Sequence, residues 1–518
     1  MTGDNTPVII GVAQRSWPER DVARTPLEAL EEVALGAVSD CASAQVLPAI
    51  DAIAQIPFLL ASLPELAPMM PRNIGAVLGE RLGLHAMNYG AIAGGNLPQE
   101  MINSLAKAVV EGRHQAVLVC GTEQMNTFLG ALRAGDTPPD WSTGLEDDPS
   151  MLSTVADVIS APTEFAHGLL EPIVTYPLIE TALRHARGLD LETHRQALGQ
   201  LVSDMSRVAN ANPLAWKREL VSPEAALSTE NGNRMICYPY TKVMNAIARV
   251  DMAAAAILTT AKTARALRVP QEQWVYLWGG ADTHESGFFS ERPALHRSEA
   301  LAAAAQAVFS QTGLALQDID LFDLYSCFPS AVEVACEALD LSPSDPRGLT
   351  VTGGMTLFGG PGNSYSLHAI AEMVRRLRAD RKRRALVTAN GGYLTKHSLG
   401  IYSSQPPQRG WRPQDRAGLQ ARLDARARRS LVETFDGPMT VVAYTLRYSR
   451  GEPATGIIVG ELEDGRILSD EELDRHGALF EDRGYGDLIY LINPGALITP
   501  SYMNRGHVPG MHGYDPAD

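Results

Sequence analysis

The sequence predicts an α/β protein that contains a duplicated unit and ends in a small β-rich domain. Three observations predict this fold class. Short apolar segments alternate with helical segments between residues 8 and 389. A pattern of glycine turn, helix, basic turn and apolar segment occurs twice in that region. From about residue 431, apolar and polar residues alternate between glycine-containing turns, as in half-buried strands.

Length and composition limit the possible functions. A chain of 518 residues exceeds one hydrophobic core, so about two to four domains are expected. A net charge of −16 argues against broad binding to nucleic acid or anionic membranes, which requires a basic surface. We expect no signal peptide or membrane span, because the N-terminus lacks a basic segment before an apolar core and no apolar run reaches about 18 residues. Five cysteines without a CxxC pair predict a reducing cytoplasm and argue against disulfides or a zinc site.

Buried strands are predicted at residues 8–13, 116–121 and 385–389, with an amphipathic helix over about 25–44. Strands as apolar as these, alternating with helices, predict a parallel sheet that is covered on both faces.

The repeated pattern begins at two glycine turns. Residues 94–98 open a helix that runs to Val110 and leads through Gly112-Arg113 into the second strand. Residues 359–363 open a helix that runs to about Leu377 and leads through a basic turn into the third. These copies predict duplication, with chance similarity between βα units as the alternative.

The predicted boundaries follow from these features and from changes in composition. The first half covers residues 1–265 and includes a helical insertion at about 125–245, and the second half covers 266–405. An Arg-rich linker with a helix is expected at 406–430. The β-rich domain at 431–518 is expected to resemble an OB barrel.

Five segments, in order, carry a family resemblance. Gly112-Arg113 with CGTEQM at 120–125 is similar to "aGxxxxvlaGGxExM", VDMAAA at 250–255 to "NDGAAA", and DLYSCF at 323–328 to "HDCF" or "NEAF". The segment at 353–361 is similar to "GGxxxxGHP", and ANGG at 389–392 to "CxGG". Together they resemble the thiolase superfamily, especially sterol-carrier-protein-type thiolases and thiolase-like proteins, over about 5–405. The resemblance implies two βαβαβαββ-type halves in five layers, and the label acetyl-CoA acetyltransferase, an acyltransferase of lipid metabolism.

The resemblance also implies an active site, and here its side chains are replaced. In the family, one cysteine is acylated, a second moves a proton, and His and Asn groups bind oxyanions. Carried over by position, the nucleophile falls on Gly95, the His or Asn of "HDCF/NEAF" on Tyr325, the His of "GHP" on Gly360, and the acid–base cysteine on Ala389. The serine near the pantetheine of coenzyme A falls on Ile247. Since glycine cannot be acylated and alanine cannot carry a proton, ordinary thiolase chemistry is not expected.

A backbone element of the family site remains available. The resemblance implies that the N–H groups of Gly95 and Gly391 hold the thioester oxygen, next to a helix N-terminus that favours negative charge. The alternative is that these glycines only make tight turns. A polarised thioester supports enolate chemistry, as in thiolase-like aldolases of steroid breakdown that pair with a separate OB-domain partner. In this chain the β-rich domain is fused.

Tyr325, His397 and Lys396 are the nearest candidates for acid–base and binding roles. Tyr325 would be a base only with a pKa lowered from about 10, would need no shift as a hydrogen-bond donor, and could also be a packed structural residue. His397 would suit acid–base work if it titrates, although a lone histidine is more often structural. Lys396 would hold a phosphate, lower a neighbour's pKa, or be solvated.

Other residues near the motifs are weaker candidates. Asn363, Tyr365 and His368 follow the second glycine turn, and His368 is expected on the side of a helix. Cys327 is not expected to be a nucleophile, because the family uses other cysteines, and Cys120 is expected to be inert. The basic residues at 375–384 would meet the 3′-phosphate of coenzyme A or form a solvated helix end.

These observations predict a protein that acts on an acyl-CoA thioester by aldol or retro-aldol chemistry without a covalent intermediate. Coenzyme A would enter as part of the substrate, with no tightly bound cofactor and no metal. The alternatives are a non-catalytic acyl-CoA-binding or assembly subunit, with a partner on the C-terminal domain, and an acetyl-CoA acetyltransferase. Family thiolases commonly pair as dimers, but the insertion and the added domain leave monomer and dimer open.

Overall fold

A computed structural model of the chain describes residues 4–143, 148–153, 161–169, 171–432, 440–462 and 467–468. The strands are β1 (Pro7–Ser16), β2 (Ile50–Gln55), β3 (Met87–Ala91), β4 (Ala116–Gln124), β5 (Ser150–Ser153), β6 (Met235–Cys237), β7 (Tyr240–Thr241), β8 (Asp251–Thr260), β9 (Val275–His284), β10 (Leu321–Asp323), β11 (Arg384–Gly391), β12 (Lys396–Ser403), β13 (Leu431–Val432), β14 (Thr440–Ser449), β15 (Glu452–Glu461) and β16 (Ile467–Leu468). The helices are α1 (Pro26–Asp40), α2 (Ile74–Arg81), α3 (Leu97–Val110), α4 (Met125–Ala134), α5 (Pro162–Ala166), α6 (Pro172–Ala186), α7 (Leu191–Ala211), α8 (Pro223–Leu227), α9 (Ala261–Ala266), α10 (Glu299–Thr312), α11 (Pro329–Leu339), α12 (Tyr365–Ala379) and α13 (Arg416–Asp424).

The larger of two sheets shows the duplication in its strand order. Its ten strands follow the order β10-β11-β12-β9-β1-β8-β4-β2-β3-β5. On one side of the centre β2 is parallel to β4, while β8 is antiparallel to both β4 and β1. On the other side β10, β11, β12 and β9 repeat the same directions, and β9 meets β1 antiparallel. The repeat therefore extends to topology, and chance similarity of two motifs does not account for it.

The sheet is mixed, and the prediction of a purely parallel sheet was wrong. Strand β8 is buried at all ten positions, and β4 is buried along its whole length. A strand covered on both faces is apolar throughout whichever way it runs, so its sequence does not encode its direction.

Helices α3 and α12 occupy equivalent places in the two halves and pack against each other. Each precedes a strand of its own half, and α3 also contacts β9, β11 and β12 of the other half. Both helices are therefore largely buried, including polar residues such as Gln99, Glu100 and His368. Each begins at one of the two predicted glycine turns, so these turns lie at the ends of the central helices.

The second sheet is shared between distant parts of the chain. Its strands follow the order β13-β16-β15-β14-β6-β7, and β6 and β7 belong to the segment predicted as an insertion. The β14–β15 hairpin also packs on α6: Thr181 donates to the Tyr444 carbonyl (2.9 Å) and accepts from its N–H (3.1 Å). Of the predicted β-rich domain at 431–518, residues 433–439, 463–466 and 469–518 lie outside the described residues.

The predicted linker contains α13, which docks on an edge of β9. Beyond Tyr276 this edge is not paired with β1, and glutamine side chains bond its backbone instead. Gln311 accepts from the N–H of Gly280 (2.9 Å), Gln414 accepts from that of Asp282 (2.7 Å), and Gln420 accepts from that of His284 (3.0 Å). These amides satisfy alternate residues of the strand as a neighbouring strand would. Gln311 belongs to α10, and the other two, Gln414 and Gln420, hold α13 against the core.

Among the helices that the structure describes, none combines the length and apolarity needed to cross a membrane.

Candidate active site

Gly95, at the start of α3, lies directly beside Tyr325. A Cβ atom added to Gly95 would overlap the Tyr325 hydroxyl oxygen, would lie 2.7 Å from Tyr325 Cζ, and would lie 2.5 Å from the carbonyl oxygen of Asn390. Tyr325 is 7% exposed and forms no hydrogen bond through its hydroxyl with the described residues. Two of the altered family positions are therefore in contact, and the tyrosine hydroxyl fills the space of the missing side chain.

The second predicted donor, Gly391, adjoins the same turn. A Cβ on Gly391 would overlap the side-chain oxygen of Asn96 and would lie 3.5 Å from the Cα of Gly94. Neither Gly95 nor Gly391 has the left-handed φ that glycine alone tolerates readily. At Gly95, close packing against a backbone carbonyl and the Tyr325 ring requires glycine, whereas at Gly391 the end of the Asn96 side chain occupies the space.

The N-terminus of α3 is not capped by a side chain. Asn96 occupies the N-cap position, but its amide donates to Glu100 Oε2 (2.9 Å) instead of accepting from the first helical turn. The Asn96 side-chain oxygen is buried and has no hydrogen-bond partner. First-turn N–H groups left uncapped in this way keep their capacity to bind negative charge.

The remaining altered positions lie in adjoining segments. Gly360 donates its N–H to the carbonyl of Ile247 (2.9 Å). By the family resemblance, Gly360 stands at the position of the histidine and Ile247 at that of the serine, so these two positions are in contact. A Cβ on Gly360 would lie 3.0 Å from Met355 Cε, so the surroundings of Gly360 are tightly packed. Ala389 is fully buried in β11 opposite Ser398.

Tyr176, on helix α6 of the insertion, is a site residue that the sequence analysis missed. Its hydroxyl accepts from the Asn390 side chain (2.8 Å) and donates to the carbonyl of Gly392 (3.1 Å), so it holds both neighbours of Gly391. Its ring stacks on Phe328 at 4.5 Å. The nearest signal in the sequence, Pro177 inside an apolar helix, does not indicate a contact more than 200 residues away.

The structure favours the structural interpretation of His397. Its Nε2 lies 3.0 Å from Ser298 Oγ and 3.1 Å from the carbonyl of Leu394, and the Ser298 hydroxyl donates to Glu285. Nε2 therefore carries the hydrogen. Burial, reinforced by the Arg292 charge, lowers the pKa of His397 to about 3, so it does not titrate near neutral pH.

His368, Asn363 and Tyr365 are held by other partners. His368 Nδ1 lies 3.0 Å from Gln14 Oε1, and burial lowers the pKa of His368 to about 3. Asn363 donates to the carbonyl of Pro57 (2.9 Å). Tyr365 donates to Asp323 Oδ1 (3.0 Å), and its ring meets that of Tyr325 edge-on at 5.6 Å. Of these three, Tyr365 contacts Tyr325.

Burial also sets the chemistry of Tyr325 and the cysteines. It raises the pKa of Tyr325 well above its usual value, which disfavours the base role and leaves the role of hydrogen-bond donor. All five cysteines are buried, and burial raises the pKa of each thiol, Cys327 included, to about 12. Because the thiolate is the nucleophile, none of these thiols is activated.

Lys396 and the basic run differ from their expected solvated states. Lys396 is 5% exposed, and its Nζ lies 3.4 Å from the carbonyl of Ala93. In the basic run, Arg378 pairs with Asp40 (2.6 Å) and bonds the carbonyls of Ile10 and Gln273. Arg375, Arg376, Arg381, Arg383 and Arg384 likewise bond carboxylates or backbone carbonyls. Arg378, only 14% exposed, is held within the fold, whereas the Arg375 and Arg383 side chains remain 67% and 49% exposed.

The described residues contain no cluster of three or more His, Cys, Asp or Glu side chains that could hold a metal ion.

The fold and the site geometry define a protein of the thiolase superfamily. Among solved structures, one of a monomeric SCP2-thiolase like protein of type 1 from Mycobacterium smegmatis matches with a TM-score of 0.78 and 32% identity, over 93% of this chain and 96% of that one. The chain belongs to the SCP2-thiolase-like proteins. No family model and no curated protein sequence matches it.

Two more distant structures share the fold. The Ltp2-ChsH2(DUF35) aldolase matches with a TM-score of 0.58 and 18% identity, over 78% of this chain and 99% of that one. Acetyl-CoA acetyltransferase from Syntrophomonas wolfei matches with a TM-score of 0.53 and 15% identity, over 78% and 100%. At these identities the likeness concerns the fold alone.

Proposed function

We propose that this protein cleaves or forms a carbon–carbon bond next to an acyl-CoA thioester without becoming acylated. One observation carries the proposal: the Tyr325 hydroxyl fills the space that a side chain at position 95 would occupy. Position 95 is the one to which the family resemblance assigns the nucleophile. Such a site offers hydrogen-bond donors and no activated thiol. Stabilisation of an enolate requires donors of that kind, whereas acyl transfer through the enzyme requires the nucleophile.

In the retro-aldol direction the substrate is a β-hydroxyacyl-CoA. The backbone N–H groups of Gly95 and Gly391 bind the thioester oxygen, and Tyr325 donates a hydrogen bond to the β-oxygen. The hydroxyl proton leaves to water, the Cα–Cβ bond breaks, and its electron pair passes into the enolate. The enolate then takes a proton at Cα, which gives an acyl-CoA and an aldehyde or ketone. The neutral state of Tyr325 suits this role, because only the protonated phenol donates.

A second candidate function is non-catalytic binding of an acyl-CoA. A specific observation favours it: His397 and His368 are neutral and engaged, and Tyr325 resists ionisation. Of the predicted acid–base residues, none accepts a proton readily at neutral pH. A binder with the same donors would hold the thioester and release it unchanged.

The test is incubation with a panel of β-hydroxyacyl-CoAs, with measurement of aldehyde or ketone release and, separately, of affinity. The aldolase proposal expects turnover that Tyr325→Phe lowers by at least about tenfold, since a hydrogen bond to developing charge is lost. Tyr448→Phe, in the second sheet, is the matched control and should retain activity. Tight binding without turnover on any member of the panel would instead establish the binder.

We also propose that the chain is a monomer located in the cytoplasm. Strand β5 pairs in parallel with β3 and covers the edge that β3 would otherwise offer to a second copy. The M. smegmatis relative is named as monomeric, which supports this proposal. The name of the aldolase neighbour joins Ltp2 to a DUF35 protein; by analogy, the β-rich C-terminal segment is the part of this chain on which a protein partner would dock.

A further inference from the structure

We infer that Arg416, from the segment that follows the duplicated core, positions the glycine turn at Gly95 through Glu100 and Asn96. The inference rests on the proposed function, because that turn is where the thioester oxygen is proposed to bind. Helix α13, which was predicted only as part of a linker, would then have a role at the site.

The first step is the ion pair between Arg416 and Glu100. Arg416 is the first residue of α13, and its Nη2 lies 2.6 Å from Glu100 Oε1. The Glu100 side chain is only 4% exposed, on the first turn of the central helix α3. A carboxylate buried this deeply needs a charged partner, and among the described residues Arg416 is its ion-pair partner.

The second step links Glu100 to the site. The other carboxylate oxygen of Glu100 accepts from the Asn96 amide (2.9 Å), which turns the Asn96 side-chain oxygen towards Gly391. That oxygen fills the space of the absent Gly391 side chain and also lies 2.7 Å from the Cβ position of Gly94. The Asn96 side chain therefore lies between the turn at Gly94-Gly95 and Gly391, and its hydrogen bond to Glu100 sets its orientation.

The third step is the docking of α13. Gln414 bonds both the N–H (2.7 Å) and the carbonyl (3.2 Å) of Asp282, and Gln420 bonds both groups of His284 (3.0 Å each). These four bonds lie on either side of Arg416 and fix the helix to an edge of the core sheet. This docking places the Arg416 guanidinium next to the first turn of α3.

Around Glu100 the charged and titratable groups come from four elements. They are Arg416 of α13, Asp282 and His284 of β9, Lys396 and His397 of β12, and Glu100 itself, on α3. The Glu100 charge acts on Asp282 as a like charge that Arg416 offsets. Removal of Arg416 takes away the ion pair of the Glu100 carboxylate, so nothing on α13 then holds that carboxylate in the position in which it accepts from the Asn96 amide.

The experiment compares Arg416→Gln, Arg416→Lys and the control Arg422→Gln, an exposed arginine of the same helix. We expect Arg416→Gln to lower kcat by about tenfold to a hundredfold with little change in KM, as expected for a misplaced donor. Arg416→Lys, which keeps the positive charge, should regain part of the rate. Equal kcat values for Arg416→Gln and Arg422→Gln would overturn the inference.

A second readout separates this inference from the proposed function. The amide resonances of Gly95 and Gly391 report the turn directly in the intact protein, with or without turnover. They should shift in Arg416→Gln and stay in place in Arg422→Gln. If the wild-type protein turns over no substrate but these resonances shift, the positioning role stands and the proposed reaction fails. Unmoved resonances would contradict the positioning role even in an active enzyme.

Discussion

The hydroxyl of Tyr325 and the missing side chain of Gly95 compete for the same space. A side chain at position 95 therefore cannot coexist with Tyr325 in its present place, so the introduction of a cysteine there alone should fail. We expect Gly95→Cys to lower the melting temperature and to give no acyl transfer, because the new Cβ overlaps the hydroxyl and lies close to the Asn390 carbonyl. Thermal unfolding and an acetyl-CoA exchange assay measure both effects.

The matched variant is Gly95→Cys/Tyr325→Ala, which removes the overlapping ring. It should recover part of the lost melting temperature relative to Gly95→Cys alone. If Gly95→Cys proves as stable as the wild type, the packing at this position is not as described.

Tyr176→Phe should remove the two hydrogen bonds that the Tyr176 hydroxyl makes to the residues on either side of Gly391, while the ring stays stacked on Phe328. The lost hydroxyl leaves the Asn390 amide without its acceptor and the Gly392 carbonyl without this donor. We expect a stability loss of about 1–3 kcal/mol, as for other buried hydrogen-bonding groups left unpaired, and weaker binding of a CoA thioester. Denaturant unfolding and calorimetric titration measure these, with Tyr448→Phe as control. Unchanged binding would remove Tyr176 from the site.

The stability of the protein should depend on pH through a buried carboxyl pair. Glu333 pairs with Arg187 (2.5 Å), and its neighbour Glu180 accepts from the Tyr240 hydroxyl (2.5 Å). Burial and the Glu180 charge raise the pKa of Glu333 to about 8 from an ordinary 4.5. Between these values the unfolded state loses a proton that the folded state keeps, so stability falls as pH rises from about 4.5 to 8, by up to about 1.4 kcal/mol per pH unit.

Glu333→Gln cannot titrate, so its unfolding free energy should fall less steeply over that range. The exposed Glu230→Gln is the control and should follow the wild type. Denaturant melts at pH 5, 6.5 and 8 make the comparison, and parallel slopes for Glu333→Gln and the wild type would contradict the raised pKa of Glu333.

A monomer is expected in solution, because β5 covers the outer edge of β3. Light scattering on a sizing column should give a mass near 55.8 kDa at all concentrations tested. A stable mass of twice that value would mean that the chain associates through a different surface.

The glycine turns and the central helices could be predicted from sequence because they follow local motifs. Gly95 and Tyr325 were found by matching segments in order, and the structure places them together. Tyr176 and Arg416 could not be found this way. Their contacts span more than 200 residues and depend on how α6 and α13 dock on the core, which side-chain hydrogen bonds decide rather than periodicity. The sequence predicted a parallel sheet, and the antiparallel β8 was not predicted, because a strand buried on both faces is apolar throughout whichever way it runs.

The most direct test of the account is the intact mass of the protein during turnover of a β-hydroxyacyl-CoA. Non-covalent enolate chemistry predicts an unmodified chain at every time point while aldehyde or ketone accumulates. An acyl adduct that forms and decays at the rate of turnover, on Cys327 or any other thiol, would contradict it.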